Sequence, residues 1–149
     1  MATGTNVYQS YRIILADDHA VLRQGLRRIL QEEPGLEVVG EAADGIELLN
    51  LLKLNKLQPH LVILDMSMPN LSGVEAARQI KAIRPETKIL ILSMHREQEY
   101  FSKAMSAGAE GYLLKDEADS ELFSAINLIR RGGVYISTLI TGKLEEGSL

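Results

Sequence analysis

Short, almost wholly apolar stretches recur five times along this chain, and each is followed by a segment whose apolar positions fall three and four residues apart. "YRIILA" (Tyr11–Ala16) is the first stretch, rich in β-formers. "HAVLRQGLRRILQEE" follows, with Val21, Leu22, Leu26, Ile29 and Leu30 at helical spacing and Pro34-Gly35 as its stop. "LEVVGEA" precedes "DGIELLNLLKLNKL", in which Ile46, Leu49, Leu52 and Leu57 fall roughly on one face. "HLVILD" precedes "SGVEAARQIKAI", where Ser72 suits an N-cap. "TKILILS" with "REQEYFSKAMSAGA", and "EGYLLK" with "DSELFSAINLIRRGG", complete the series, and Gly132-Gly133 end the last helix. Strands this apolar are what a parallel sheet covered on both faces requires. The pattern therefore predicts an α/β three-layer sandwich: a doubly wound, five-stranded parallel sheet with five helices and right-handed crossovers. Residues 11–133 form the expected domain. Residues 1–10 read as a poorly ordered extension, and residues 134–149 as a tail or the start of a linker.

Composition narrows the classes. At 149 residues the chain suits one domain with a core that needs no staples. With 46% hydrophobic and 24% charged residues it has ordinary globular composition, so the apolar runs read as core strands. None approaches the ~20 residues of a membrane span, so no membrane partner is expected. Without cysteine, thiolate nucleophiles, thiolate metal sites and disulfides are excluded. A formal charge of −4 argues against the chain gripping a polyanion by itself. "MATGTNVYQS" has neither basic flank nor apolar core and is no secretory signal. The expected location is the cytoplasm.

In an open parallel sheet, ligands bind at the carboxyl ends of the strands. Reading off those ends gives Asp17 and Asp18 after the first strand, Asp65 after the third, Ser93 after the fourth and Lys115 after the fifth. Three carboxylates on one rim repel one another unless a cation sits among them, and Mg²⁺ is the hard ion that oxygen ligands favour. A carboxylate so placed can accept a phosphoryl group and form an aspartyl phosphate. A lysine would offset the phosphoryl charge, and a serine hydroxyl would gain a partner only in the phosphorylated state.

"ADDHAVLRQGL", "VILDMSMPNLSGVEAARQI", "ILSM" and "AGAEGYLLK" resemble the signature segments of a bacterial two-component response-regulator receiver domain. The segment "GYLLKDEADSELFSAINLIRRGGVYIS" is most similar to the subgroup fused to LuxR/NarL-type DNA-binding helices. The resemblance covers about Arg12 to Ser137. It implies a flavodoxin/CheY-like fold with strand order 2-1-3-4-5. By position, Asp65 resembles the phosphoacceptor, Asp17 and Asp18 the Mg²⁺-organising pair, and the backbone carbonyl of Ser67 the main-chain metal ligand. Ser93 resembles the switch hydroxyl and Lys115 the lysine that contacts the phosphoryl group. Tyr112 resembles the aromatic that turns into the space Ser93 vacates, although an aromatic on a last strand also reads as simple packing. The resemblance further implies that Mn²⁺ can replace Mg²⁺, that a sensor histidine kinase supplies the phosphoryl group, and that phosphorylation promotes a homodimer. DNA would be reached only through a C-terminal domain not present in this chain, which would be a truncated regulator or a stand-alone receiver. Such a domain is a regulatory phosphoacceptor rather than an enzyme.

Other readings compete. A receiver-like module that never takes phosphate would act only as a protein-binding surface. An Mg²⁺-dependent phosphohydrolase of the haloacid dehalogenase type needs a second Asp two residues after the first, and position 67 is Ser. A nucleotide-binding protein would want a Gly-rich first turn, but this one is "ADDHA". His19, His60 and His95 read as ordinary residues, and Arg23, Arg27, Arg28, Arg130 and Arg131 as solvated or partner-facing helix surface. Lys115 precedes Asp116 where many receivers carry a cis proline, so a trans bond is expected.

Overall fold

The computed structural model describes residues 10–54, 56–138 and 140. Strand β1 (Tyr11–Ala16) leads into α1 (Ala20–Gln31), and β2 (Leu36–Ala42) into α2 (Gly45–Leu52). Then come β3 (Leu61–Asp65), α3 (Gly73–Ile83), β4 (Lys88–Ser93), α4 (Gln98–Ser106) and β5 (Gly111–Leu114). A single 3₁₀ turn (Lys115–Glu117) joins β5 to α5 (Ala118–Arg130), and β6 (Tyr135–Ile136) follows.

The strands are parallel throughout and ordered β2-β1-β3-β4-β5-β6. The expected order holds for the first five, but the sheet has six strands rather than five. The added strand lies where the sequence reads as a tail. Tyr135 and Ile136 pair with Gly111 and Tyr112, and Ser137 Oγ accepts the Leu114 N–H at 2.9 Å. Two residues are too few to show an alternation, so no periodicity betrays them. Residues 1–9 and 141–149, the bulk of the expected extension and tail, lie outside the described residues.

Alternate residues of each strand feed two separate cores. Ile14, Val62, Leu64, Ile91 and Tyr112 face the layer that includes Leu48, Ala76 and Ile80 of α2 and α3. Ile13, Leu15, Ile63, Leu92 and Leu113 face Leu26 and Leu30 of α1 and Ile126 and Ile129 of α5. All five residues of β3 are buried, which explains its unbroken apolar run. Each buried Leu or Ile contributes roughly 1.5–3 kcal/mol.

The helical stripes differ from the expected ones in detail. Gly45, Leu48, Leu49 and Leu52 form the buried face of α2, so Ile46 is half exposed, and Leu57 lies beyond the helix. Val21 of α1 is 83% exposed despite its helical spacing. Ser72 does cap α3, its Oγ accepting the Glu75 N–H at 3.2 Å. Asp44 caps α2 in the same way at 2.8 Å. Asn70, at φ 68°, donates from its side-chain amide to Asp44 and so ties the loop after β3 to the loop after β2.

Candidate acidic site at the strand ends

The strand order reverses direction between β1 and β3, and the crevice opened there is where a doubly wound sheet holds its ligand. Asp17 follows β1 and Asp65 ends β3, and both are buried. Lys115 follows β5, and its Nζ lies 3.2 Å from Asp65 Oδ1 and 3.4 Å from Asp17 Oδ2. Asp18 is more exposed. His19 takes the N-cap position of α1, and its Nδ1 lies 3.3 Å from an Asp17 oxygen and 3.4 Å from an Asp18 oxygen. One ligand atom from each of Asp17, Asp18, His19 and Asp65 falls within 4.8 Å of all the others. His19, read from sequence as ordinary, thus stands at the edge of the acid cluster.

Backbone geometry fixes these acids. The His19 N–H donates to Asp17 Oδ1 at 2.8 Å, and the Ser67 N–H donates to Asp65 Oδ1 at 3.2 Å. Ser67 therefore folds back over the carboxylate. Asp17 Oδ2 and Asp65 Oδ2 are buried and accept no hydrogen bond among the described residues. Burial first, and then the Asp17 charge, push the Asp65 carboxyl above its ordinary range. Lys115 and the Ser67 N–H oppose that shift without cancelling it. Two buried, unsatisfied carboxylate oxygens facing one cluster fit a hard divalent cation, because such groups are otherwise costly to bury.

Ser93 and Tyr112 form a neighbouring group. Ser93 Oγ accepts the His95 N–H at 2.9 Å and lies 2.9 Å from Tyr112 Oη. Tyr112 Oη also lies 2.8 Å from the His95 carbonyl, and its ring meets Phe101 edge-on at 5.6 Å. Burial pushes its phenol pKa up, against the Ser93 hydrogen bond. Tyr112 is fully buried in this structure. Asp17, Asp18, Asp65 and Lys115 thus converge, while the hydroxyl partners of Ser93 are Tyr112, Met66 and the His95 backbone.

Sequence reasoning missed three supports. Arg23 reaches the Asp17 carbonyl and, with Arg27, pairs with Glu41 of β2, so these arginines brace the site rather than forming free helix surface. Away from the site, at the other end of β1, Arg130 lies over the Tyr11 ring. Gly73 packs directly on Asp65: a Cβ there would lie 2.2 Å from the Asp65 carbonyl oxygen. Met66, next to Asp65, is the third: its sulfur lies 3.4 Å from Ser93 Oγ and 3.9 Å from Tyr112 Oη. The Lys115–Asp116 bond is trans, as expected.

A doubly wound sheet with paired acids at its switch point and a strand-end lysine beside them defines a receiver-type α/β domain. The chain belongs to the response regulator receiver domain family, whose model matches residues 13–127. It is a signalling domain rather than an enzyme. It is 37% identical over 133 residues to the transcriptional regulatory protein DegU of Brevibacillus brevis, covering 89% of this chain and 56% of that one. It is 42% identical over 134 residues to the oxygen regulatory protein NreC of Staphylococcus carnosus, covering 89% and 61%. The chain thus spans about three fifths of the length of these relatives. A solved LuxR-family two-component response regulator from Aurantimonas superposes with a TM-score of 0.87 at 37% identity, over 93% of this chain and 98% of that one. The isolated receiver domain of RcsB from Salmonella enterica, solved with the phosphomimetic beryllofluoride, gives 0.81 at 30% identity, over 89% and 96%.

Proposed function

We propose that Asp65 is the phosphoacceptor of a phosphorylation-dependent switch, and that the chain is the receiver part of a transcriptional regulator. The observation that carries this is the pairing of Lys115 Nζ with the buried Asp65 carboxylate, with a second buried acid, Asp17, 3.4 Å from the same nitrogen.

Asp17, Asp18, Asp65 and the Ser67 carbonyl would hold Mg²⁺, or Mn²⁺ in its place. When bound, that ion offsets carboxylate repulsion and the charge on phosphoryl oxygens. The chain's own residues do the rest. An Asp65 carboxylate oxygen attacks the phosphorus of a kinase phosphohistidine; the O–P bond forms, the P–N bond breaks, and the departing imidazole takes up a proton. Lys115 stays beside the product as a counter-charge. Ser93 then donates its hydroxyl to a phosphoryl oxygen and leaves Tyr112, which disturbs His95 and the loop into α4. The face built from α4, β5 and α5 changes with it and favours a homodimer. DNA contact belongs to a further domain of the longer regulators, and the cytoplasm, where a sensor histidine kinase presents its phosphohistidine, is the matching location.

Borohydride reduction locates the acyl phosphate. Protein treated with a phosphodonor and then reduced should yield homoserine at position 65. Conversion at any other carboxylate contradicts the assignment.

A further inference from the structure

The sulfur of Met66 touches both buried hydroxyls beside the acid site, and nothing in the proposed reaction uses it. Met66 is 5% exposed and directly follows Asp65. Its backbone is pinned on two sides: its N–H donates to the Leu92 carbonyl of β4, and its carbonyl accepts the Gly73 N–H of α3, both at 2.9 Å. The sulfur is therefore delivered to a fixed place, 3.4 Å from Ser93 Oγ.

Counting protons shows what it does there. Two hydroxyl protons, one each on Ser93 and Tyr112, have three acceptors beyond the His95 N–H contact. The Tyr112 hydroxyl donates to the His95 carbonyl at 2.8 Å and to Ser93 Oγ at 2.9 Å. The Ser93 hydroxyl, accepting from Tyr112, donates to the Met66 sulfur. A thioether is a weak acceptor, so leaving it unpaired costs far less than orphaning a carbonyl. It holds a hydroxyl that must later move, and releases it at little cost.

We propose that Met66 is a positioning residue of the switch: its thioether is a resting acceptor of the Ser93 hydroxyl and surrenders it when Asp65 is phosphorylated. The inference rests on the reading of Asp65 as phosphoacceptor. It makes the residue after the acceptor a setting of the switch, since the strength of the resting acceptor opposes the phosphorylated state. Methionine sets that opposition low but above zero.

Met66→Leu tests this, because it keeps volume and apolarity and removes only the acceptor. Beryllofluoride affinity with Mg²⁺ is measured by ¹⁹F NMR for the wild type, Met66→Leu, Ser93→Ala and the double variant. Urea unfolding of the same four metal-free proteins supplies a readout independent of ligand. Met66→Leu should bind beryllofluoride about two- to fivefold more tightly than the wild type, the low end for a weak hydrogen bond. Against the Ser93→Ala background the same change should alter affinity less than twofold, and its cost to stability should shrink. A purely structural Met66 would give the same ratio in both backgrounds, and that result, or weaker binding by Met66→Leu, overturns the inference. If the wild type itself takes up no beryllofluoride, the phosphoacceptor reading fails and the inference falls with it.

Discussion

The phenolic oxygen of Tyr112 lies 2.9 Å from the Ser93 hydroxyl oxygen, and both side chains are shut away from solvent. The two strands that carry them, β4 and β5, are thereby tied together through their side chains. Tyr112→Phe keeps the edge-on contact with Phe101 but removes the hydroxyl and leaves the His95 carbonyl without its donor. It should destabilise the fold by about 1–2 kcal/mol in urea unfolding, the cost of a buried hydrogen bond with its partner left behind. A loss of less than a few tenths of a kcal/mol would mean that the network carries no energy.

Gly73 stands against the carbonyl of the phosphoacceptor candidate. A Cβ there would also fall 2.8 Å from Met66 Cα, so backbone rather than a flexible side-chain tip must move. Gly73→Ala should cost about 2 kcal/mol or more and weaken beryllofluoride uptake with it. Gly25, in the middle of α1, has nothing within 4 Å. Gly25→Ala should stabilise the protein by roughly 0.5–1 kcal/mol through backbone entropy. The two substitutions are chemically identical, so opposite signs in one denaturation series would show that the clearance at Asp65 matters.

Glu41 gives a pH signature. Burial by itself would raise its pKa, but hydrogen bonds and charge from Arg27 and Arg23 outweigh it and hold the carboxyl below the ordinary glutamate value of 4.5. A depressed folded pKa adds stability that is full above the unfolded value and fades as pH falls through the folded one. Glu41→Gln should therefore cost about 1 kcal/mol at pH 7, and that difference should begin to shrink once pH falls below the ordinary glutamate value of 4.5, fading as the folded carboxylate protonates. A difference that stays constant through the whole acid titration would assign the effect to packing.

Repulsion between Asp17 and Asp65 predicts a metal-dependent stability. With Mg²⁺ at ten times its Kd, the wild type should gain about 1.4 kcal/mol over protein in chelator. Asp17→Asn and Asp65→Asn should each gain clearly less, because a ligand is lost and the repulsion between the two acids is already relieved. Equal gains in all three, followed by thermal unfolding, would move the cation elsewhere.

Much of this was legible in the chain because strand ends are marked by abrupt changes from apolar to charged residues. Asp17, Asp65 and Lys115 sit at such edges, so alternating strands and helices suffice to bring them to one rim. What escaped was of a different kind. A two-residue strand at Tyr135–Ile136 has no period to read. Val21 and Ile46 fit a helical stripe as well as their buried neighbours do, and only packing selects between them. Arg23, Gly73 and Met66 act through contacts with residues distant in sequence or with backbone atoms, which no residue pattern records. The already buried Tyr112 belongs to the same group: its residue type suggests a role, but its position depends on the space left by Met66, Ser93 and Phe101.

The claim that Asp65 accepts a phosphoryl group is tested most directly by intact mass after incubation with Mg²⁺ and acetyl phosphate, with Asp65→Asn alongside. A gain of one labile phosphoryl group, absent from the variant and from samples without Mg²⁺, is the result expected. An equal gain in Asp65→Asn, or no gain together with no beryllofluoride uptake, would contradict it and leave the domain as a protein-binding surface that never receives phosphate.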